Sequence, residues 1–193
     1  MEEITFKIIF MVLYVLGAIV RAPFAYKVKK MKVKFSRRKV YEYIVMVPVA
    51  LGLMIVPLVH VFSSALDGYN MFLPTWVRVI GVVGFFFGFL VYSWSHIALT
   101  TNWSPVLEIK EKQKLITSGP YKYVRHPMYT GFWLWSVFQG ILLSNWAVLV
   151  LGILSFGLMY FSRIKHEEKL MIEGFGNSYK EYMKKTGRIL PKF

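Results

Sequence analysis

The chain has 193 residues, of which 56% are hydrophobic and 18% are charged, and its formal net charge is +14. Soluble domains carry about 25% charged residues, so this composition excludes an ordinary soluble fold and indicates a protein of the lipid bilayer. The sequence has no cysteine, which excludes disulfides, thiolate nucleophiles and cysteine-ligated metal sites. The basic residues lie between apolar segments, which favours anionic lipid headgroups as partners and not nucleic acid.

Five apolar segments predict an all-α membrane protein with five transmembrane helices. The predicted helices cover about residues 4–20, 41–62, 77–99, 128–143 and 146–161. Pro48 and Pro57 predict kinks in the second helix. Gly81, Gly84 and Gly88 share one face of the third helix, which permits the close approach of another helix within the chain or between chains.

The last two predicted helices are separated only by Ser144 and Asn145, which predicts an antiparallel hairpin with Asn145 as the N-cap of its second helix. After the hairpin we expect a charged amphipathic helix that ends at residues 174–176. A short second helix is expected to begin with a capping box from Ser178 to Glu181.

The basic residues predict how the chain is oriented in the membrane. Every lysine and arginine except Lys7 and Arg78 falls after the first helix, after the third helix or in the C-terminal tail. With five helices these segments share one side, and the positive-inside rule predicts an external N-terminus and a cytoplasmic C-terminus. We therefore expect one multi-pass domain over residues 1–193, with a three-helix part over residues 1–99 and a second part over residues 100–193.

Two polar clusters combine ionisable groups with special backbone positions. Arg125 and His126 precede Pro127 at the start of the fourth helix, where a helix N-terminus favours a carboxylate or phosphate. Arg163 and Glu167 are four residues apart on one helix face, directly after the hairpin. The alternatives are a lipid-phosphate contact with a capping histidine for the first cluster and an interfacial ion pair for the second. Both clusters flank the hairpin, which predicts that they meet at its foot.

The remaining histidines do not indicate a metal site. His60 and His96 lie near the ends of the second and third helices, on opposite sides in this topology. His166-Glu167 begins like a zinc-protease motif, but residue 170 is leucine where a second histidine is required. We therefore expect no metal.

The motifs in chain order resemble the isoprenylcysteine carboxyl methyltransferase family over about residues 105–193, and in particular its small five-helix prokaryotic, archaeal-type members. The pattern is Gly119-x-Tyr121-x3-Arg125-His126-Pro127-x-Tyr129-x-Gly131, the hairpin, Arg163-x3-Glu167-Glu168, Phe175-Gly176-x2-Tyr179-x2-Tyr182 and Pro191. Phospholipid N-methyltransferases and sterol reductases carry related versions of the Arg-His-Pro box.

The resemblance implies S-adenosyl-L-methionine as methyl donor, with S-adenosyl-L-homocysteine as product, in a pocket on the cytoplasmic side of the cell membrane. The cytoplasmic loop and the C-terminal helices would form this pocket. The implied cofactor contacts are Gln113, Lys114, Leu115, Ile116, Tyr121, His126, Pro127, Met128, Tyr129 and Glu167.

The resemblance also implies that a methyl group is transferred to the carboxylate of a lipid-linked, isoprenylcysteine-like substrate. Arg163, with Arg125 as a second candidate, would bind the acceptor carboxylate, and Glu167 would complete the catalytic set. Such a transfer needs no base because a carboxylate is already ionised, but it needs in-line positioning and exclusion of water. An arginine fork orients a carboxylate through two hydrogen bonds.

Three other functions remain open from the residues. A phospholipid amine N-methyltransferase would need a base or a site that tolerates a cation. A reductase would need a nicotinamide cofactor and a phosphate site in the basic loops. A membrane assembly protein without enzymatic activity would have no cofactor affinity.

Overall fold

The computed structural model describes residues 2–29, 33–36, 39–102, 108–110 and 113–192. Its elements in chain order are α1 (Glu3–Lys29), β1 (Val33–Ser36), α2 (Lys39–Ala50), α3 (Val56–Phe62), α4 (Thr75–Leu99), β2 (Glu108–Lys110), α5 (Pro127–Leu143), α6 (Trp146–Phe175) and α7 (Asn177–Lys185). A π-helical segment, Leu51–Ile55, joins α2 to α3, and a 3-10 turn over Gly119–Lys122 precedes α5.

Four segments of the described chain are long and apolar enough to cross a membrane: Glu3–Tyr26, Ile44–Phe62, Thr75–Leu99 and Trp146–Phe175. This finding confirms a multi-pass, predominantly helical membrane protein. The fifth predicted span corresponds to α5, which has 17 residues and is shorter than these four. Length and composition therefore support four of the five predicted spans.

The helical fold is confirmed, and the structure adds one feature that was not predicted, because β1 and β2 form a short two-stranded antiparallel sheet. The paired positions are Val33 with Lys110, Phe35 with Ile109, and Ser36 with Glu108. Strands of three and four residues are too short to show a hydrophobic alternation against the basic segments that contain them. The pair joins the connection after α1 to the segment after α4.

The predicted distortion of the second span occurs between its two prolines. Pro57 has no amide hydrogen to donate to Leu53 O four residues earlier, so an α-helical bond is lost there. The π-helical segment Leu51–Ile55 lies at this place, and Pro57 occupies the first turn of α3. A continuous helical path over residues 44–62 is kept, as predicted.

The glycine face of α4 packs against α5. A Cβ atom on Gly81 would lie 2.5 Å from the backbone nitrogen of Leu142, and one on Gly84 would overlap the Phe138 ring. Gly88 faces Gly131 of α5, whose carbonyl oxygen would lie 3.1 Å from an added Cβ atom. The glycines thus let the two helix backbones approach closely, as predicted, and the partner is within the same chain.

The α5–α6 hairpin is confirmed, with Ser144 in the left-handed conformation at φ 53°. The Asn145 side chain caps α6 by accepting a hydrogen bond from the Val148 amide at 3.2 Å. Its Nδ2 donates to Leu66 O at 2.8 Å and to Asn70 Oδ1 at 2.9 Å, which anchors the loop before α4.

The second helix of the hairpin and the charged helix expected after it form a single helix, α6. α6 is one continuous helix of 30 residues, so Arg163 and Glu167 lie on the same helix as the apolar span. At 1.5 Å per residue it measures about 45 Å, longer than the apolar thickness of a bilayer of about 30 Å. The predicted capping box of α7 was wrong: the helix begins at Asn177, after Gly176 at φ 59°, and no side chain among the described residues caps it.

We expect Gly81→Ala to destabilise the protein, because the added methyl would meet the Leu142 backbone and not a flexible side chain. Overpacking of this kind costs about 1–3 kcal/mol. Thermal unfolding in detergent should show a melting temperature several degrees lower than that of the wild type. Gly68→Ala is the control, since a Cβ there has no neighbour within 4 Å in the described chain. Equal melting temperatures for both variants would contradict the close α4–α5 packing.

Candidate active site

The C-terminal segment, residues 186–189, fixes the backbone of the Arg-His-Pro box. The Arg125 amide donates to Gly187 O at 2.8 Å, and the His126 amide donates to Arg188 O at 2.8 Å. Thr130, one turn into α5, donates through its hydroxyl to Ile189 O at 2.7 Å. The start of α5 is therefore held by chain that lies about sixty residues further on, a long-range contact that no local pattern indicates.

His126 lies between two carboxylates of α6. Its Nδ1 is 3.6 Å from Glu167 Oε1, and its Nε2 is 3.7 Å from Glu168 Oε1. The Tyr129 hydroxyl donates to Glu167 Oε2, and the Tyr129 ring stacks on the His126 ring with centroids 5.5 Å apart. The two clusters therefore meet at the foot of the hairpin, as predicted.

Glu168 is held by two arginine forks. Arg125 donates from Nε and Nη2 to Glu168 Oε1 at 3.1 and 2.9 Å. Arg188 donates from Nε and Nη2 to Glu168 Oε2 at 3.0 and 2.7 Å. The remaining nitrogen of Arg125, Nη1, donates to the carbonyls of Met183 and Thr186. All three guanidinium nitrogens of Arg125 thus bind protein atoms.

The two glutamates favour the protonated form of His126. Burial lowers the pKa of His126, but the hydrogen bonds and negative charges of Glu167 and Glu168 outweigh burial, so the net pKa lies above its ordinary value. The foot of the hairpin therefore combines His126 and the positive charges of Arg125, Arg163 and Arg188 with the two glutamates.

Two buried tyrosines of α7, Tyr179 and Tyr182, line the cavity beside the polar cluster. Tyr182 donates its hydroxyl to Tyr121 O at 2.5 Å, and burial raises the pKa of Tyr182 to about 12, so it remains a neutral donor. Tyr179 is buried, and its hydroxyl has no hydrogen-bond partner within the described part of the chain. Both tyrosines belong to the motif quoted above, but the sequence did not indicate a role for Tyr179.

One cavity of about 480 Å³ collects the predicted site residues. Every predicted residue except Pro127 lines it, namely Gln113, Lys114, Leu115, Ile116, Tyr121, Arg125, His126, Met128, Tyr129, Arg163 and Glu167. Pro127 is instead buried at the first position of α5, where its missing amide hydrogen costs no helical bond.

The N-terminal helices also line the cavity, which the sequence did not indicate. α1 contributes a stripe of small residues and α2 contributes apolar side chains, so the pocket is not formed by the loop and C-terminal helices alone. These additional lining residues are Tyr14, Gly17, Ala18, Arg21, Ala22, Ala25, Met46, Val49, Leu53 and Met54. The pattern in the sequence that could have indicated this wall is the helical spacing of the small residues on α1.

Asn102 holds the loop that carries four of the predicted contacts. Its Oδ1 accepts a hydrogen bond from the Lys114 amide at 2.8 Å, and its carbonyl accepts one from Gln113 Nε2 at 3.3 Å. Asn102 itself lines the cavity. The loop therefore keeps a defined position beside the cavity without belonging to a helix.

The cavity is polar at the foot of the hairpin and apolar deeper in the helix bundle. Arg163 and Glu167 lie at the polar end, and Phe132 and Trp135 of α5 lie on the apolar wall, with Leu53 of the π-helical segment. Such a cavity suits an amphiphile together with a polar small molecule. Fold and site thus define a polytopic membrane protein with a cavity that is polar at one end and apolar at the other.

Residues 79–173 match the model of the isoprenylcysteine carboxyl methyltransferase (ICMT) family. The matched residues run from α4 into α6, and the match confirms the resemblance seen in the motifs. The protein-S-isoprenylcysteine O-methyltransferase of Xenopus laevis is 34% identical over 119 residues, 61% of this chain and 41% of that protein. The protein of the same name from Dictyostelium discoideum is 34% identical over 118 residues, 58% and 48% of the two chains.

A solved structure has a similar fold. It is that of a eukaryotic intramembrane Ras methyltransferase of this family, with a TM-score of 0.56 and 24% identity. The match covers 82% of this chain and 54% of that one. The chain therefore spans about half the length, or less, of these relatives.

The raised pKa of His126 predicts a dependence of stability on pH. A raised native pKa means that the stabilisation is complete below the unfolded pKa of about 6.5 and is lost as pH rises through the native pKa. The melting temperature should therefore fall as pH rises above about 6.5, and His126→Gln should reduce that fall. His166→Gln, exposed on α6, is the control and should keep the wild-type slope. The same slope in His126→Gln would contradict the arrangement.

Proposed function

We propose that the chain is an S-adenosyl-L-methionine-dependent carboxyl O-methyltransferase that acts on a lipid-linked, isoprenylcysteine-like substrate in the membrane. One observation carries the proposal: the family's polar motif residues and an apolar wall from α1 and α2 line the same cavity. The family match and the names of the relatives support carboxyl methylation as the reaction that takes place in this cavity.

The proposed topology has five spans, with the N-terminus outside and the active site facing the cytoplasm of the cell membrane. α5 has 17 residues, about 25 Å, at the lower end of the length of a membrane helix. It is the antiparallel partner of α6 in the hairpin, so both helices cross together. The basic segments then share the cytoplasmic side. Because both residues 1–99 and 100–193 line the cavity, we treat the chain as one domain.

The residues of the cavity fit S-adenosyl-L-methionine. The volume of about 480 Å³ lies within the usual range for small-molecule sites. Glu167, with a side chain 28% exposed, offers a carboxylate for an ammonium group or for ribose hydroxyls. The buried Tyr179 hydroxyl offers a donor that nothing in the described chain uses. When bound, this cofactor supplies an electrophilic methyl group on a sulfonium.

The predicted cofactor contacts divide by chemistry. Leu115, Ile116 and Tyr129 supply apolar and aromatic surface for the adenine, and Glu167 with His126 supplies charges for the amino-acid end. Gln113, Lys114, Tyr121 and Met128 complete the wall, and Pro127 acts by setting the start of α5. The amides of His126, Tyr129 and Thr130 donate to protein carbonyls, so side chains carry more of the recognition than the helix N-terminus does.

Arg163 is the stronger candidate for the acceptor carboxylate. It is buried, lines the cavity and lies one turn before Glu167, close enough for their charges to interact. A guanidinium fork binds a carboxylate through two parallel hydrogen bonds and fixes its direction. Arg125 also lines the cavity, but its three guanidinium nitrogens are bound to Glu168, Met183 and Thr186.

The apolar side of the cavity accounts for a membrane-bound acceptor. α1 packs against α4 and α5, whereas α2 packs against α6, and the cavity lies between α1 and α2. Ala18, Ala22 and Met54 line the cavity and are exposed, so the cavity is open between these helices. An apolar chain can therefore pass from the bilayer between α1 and α2 while its carboxylate stays near Arg163.

The protein's own contribution to the reaction is position and desolvation. The acceptor carboxylate is ionised at neutral pH, so no residue must remove a proton. Arg163 orients the carboxylate towards the methyl group, and the apolar wall excludes water that would compete for that group. The groups around His126 hold Glu167 and Tyr129 in fixed positions, which limits the search for the in-line geometry.

Glu167→Gln should weaken binding of S-adenosyl-L-homocysteine about 10- to 100-fold, because a hydrogen bond to a charged group contributes roughly 1.5–3 kcal/mol. Isothermal titration calorimetry of the detergent-purified protein measures this affinity. Glu173→Gln, exposed on the same helix, should bind like the wild type. Wild-type protein that does not bind the compound would overturn the proposed function.

Arg163→Gln should reduce kcat/KM for a prenylcysteine analogue at least about 100-fold, as expected when a bidentate charged contact is lost. Its affinity for S-adenosyl-L-homocysteine should stay within about threefold of the wild type. Lys165→Gln, exposed two residues further along α6, serves as the matched control. Equal losses of cofactor affinity and methyl transfer in Arg163→Gln would place Arg163 on the cofactor instead.

A further inference from the structure

We propose that Arg188, in the C-terminal segment, is a positioning residue of the cofactor site, acting on His126 through Glu168. The inference rests on the proposed function and concerns a residue outside the predicted set. Arg188 lies beyond α7 and does not line the cavity, yet it contacts the groups that hold His126 from two directions.

The first contact is through the backbone. Arg188 O accepts the hydrogen bond from the His126 amide at 2.8 Å, beside the bond from the Arg125 amide to Gly187 O. These two bonds place the residue before α5 against the C-terminal segment. They do not depend on the Arg188 side chain, so substitution of that side chain leaves this attachment in place.

The second contact is through the guanidinium. Arg188 binds Glu168 Oε2 with two nitrogens, while Arg125 binds Oε1 with two of its own. The Glu168 side chain is 6% exposed, whereas that of Arg188 is 45% exposed. With a fork on each oxygen, the carboxylate plane cannot turn without breaking charged hydrogen bonds.

The orientation of Glu168 matters because His126 has a carboxylate on each side. Glu168 Oε1 is 3.7 Å from His126 Nε2, and Glu167 Oε1 is 3.6 Å from His126 Nδ1. Without Arg188, Glu168 Oε2 would lose its cationic partner, and the carboxylate would turn to share Arg125 and His126 between both oxygens. His126 would then move towards Glu168 and away from Glu167, the carboxylate that lines the cavity.

The effect expected of Arg188 is therefore on the site more than on folding. An ion pair with one exposed partner contributes little to stability, typically about 0–1 kcal/mol. The backbone bonds of residues 187–189 and the second fork, from Arg125, remain when the Arg188 side chain is shortened. The change therefore removes only the restraint on the orientation of the Glu168 carboxylate, and through it the restraint on the position of His126.

The test is calorimetry with S-adenosyl-L-homocysteine on five variants of the full chain, one of which is Glu168→Gln alone as the reference for the double variant. Arg188→Gln should weaken binding about tenfold with a small change in melting temperature, and Arg188→Lys, which keeps the charge but not the fork, should recover part of the affinity. Lys192→Gln, exposed in the same tail, should bind like the wild type. Arg188→Gln added to Glu168→Gln should cause no further loss, because both changes remove the same restraint.

Binding by Arg188→Gln within twofold of the wild type would overturn the inference while the proposed function stands. Additive losses in the double variant would also overturn it, since Arg188 would then act by a route other than Glu168. If Arg188→Gln does not fold, Arg188→Lys measured alone and in the Glu168→Gln background decides the question in the same way. Wild-type protein that does not bind would overturn the proposed function and the inference together.

Discussion

The placement of His126 between Glu167 and Glu168 is the contact on which the rest of the site depends. It needs a hairpin that brings the start of α5 beside α6, and it needs α6 to continue past the apolar span so that both glutamates reach the histidine. It also needs two arginines on Glu168, because a buried carboxylate without cationic partners would be costly. The hairpin, the length of α6 and the two arginines on Glu168 are therefore all needed to place His126.

The same contact explains why the cavity joins two kinds of environment. α6 is about 45 Å long, so its first part faces lipid and its last part carries the charged groups. The α1 and α2 helices border the apolar side, and the Gln113–Ile116 loop, held by Asn102, borders the polar side. In the proposed reaction, a water-soluble methyl donor and a lipid-borne carboxylate would reach this cavity from opposite phases.

Sequence patterns predicted those features that local rules govern. The glycine face of α4, the Asn145 cap and the meeting of the Arg-His-Pro box with α6 follow from helical spacing and a two-residue turn. Long-range contacts were not predictable in this way. Arg188 is 20 residues from its partner Glu168 and belongs to no periodic pattern, and the α1 wall has small residues that carry no chemical signature. The capping box near Ser178 failed because the backbone turn at Gly176 already starts α7.

The central claim is that the cavity transfers a methyl group to a carboxylate of a lipid-linked acceptor. The most direct measurement is transfer of a radiolabelled methyl group from S-adenosyl-L-methionine by the purified protein in liposomes that contain a prenylcysteine analogue and phosphatidylethanolamine. We expect label in the prenylcysteine analogue that mild base releases as methanol, because a methyl ester is hydrolysed by base. Base-stable label in the amine phospholipid, or no transfer by protein that binds the donor, would contradict it.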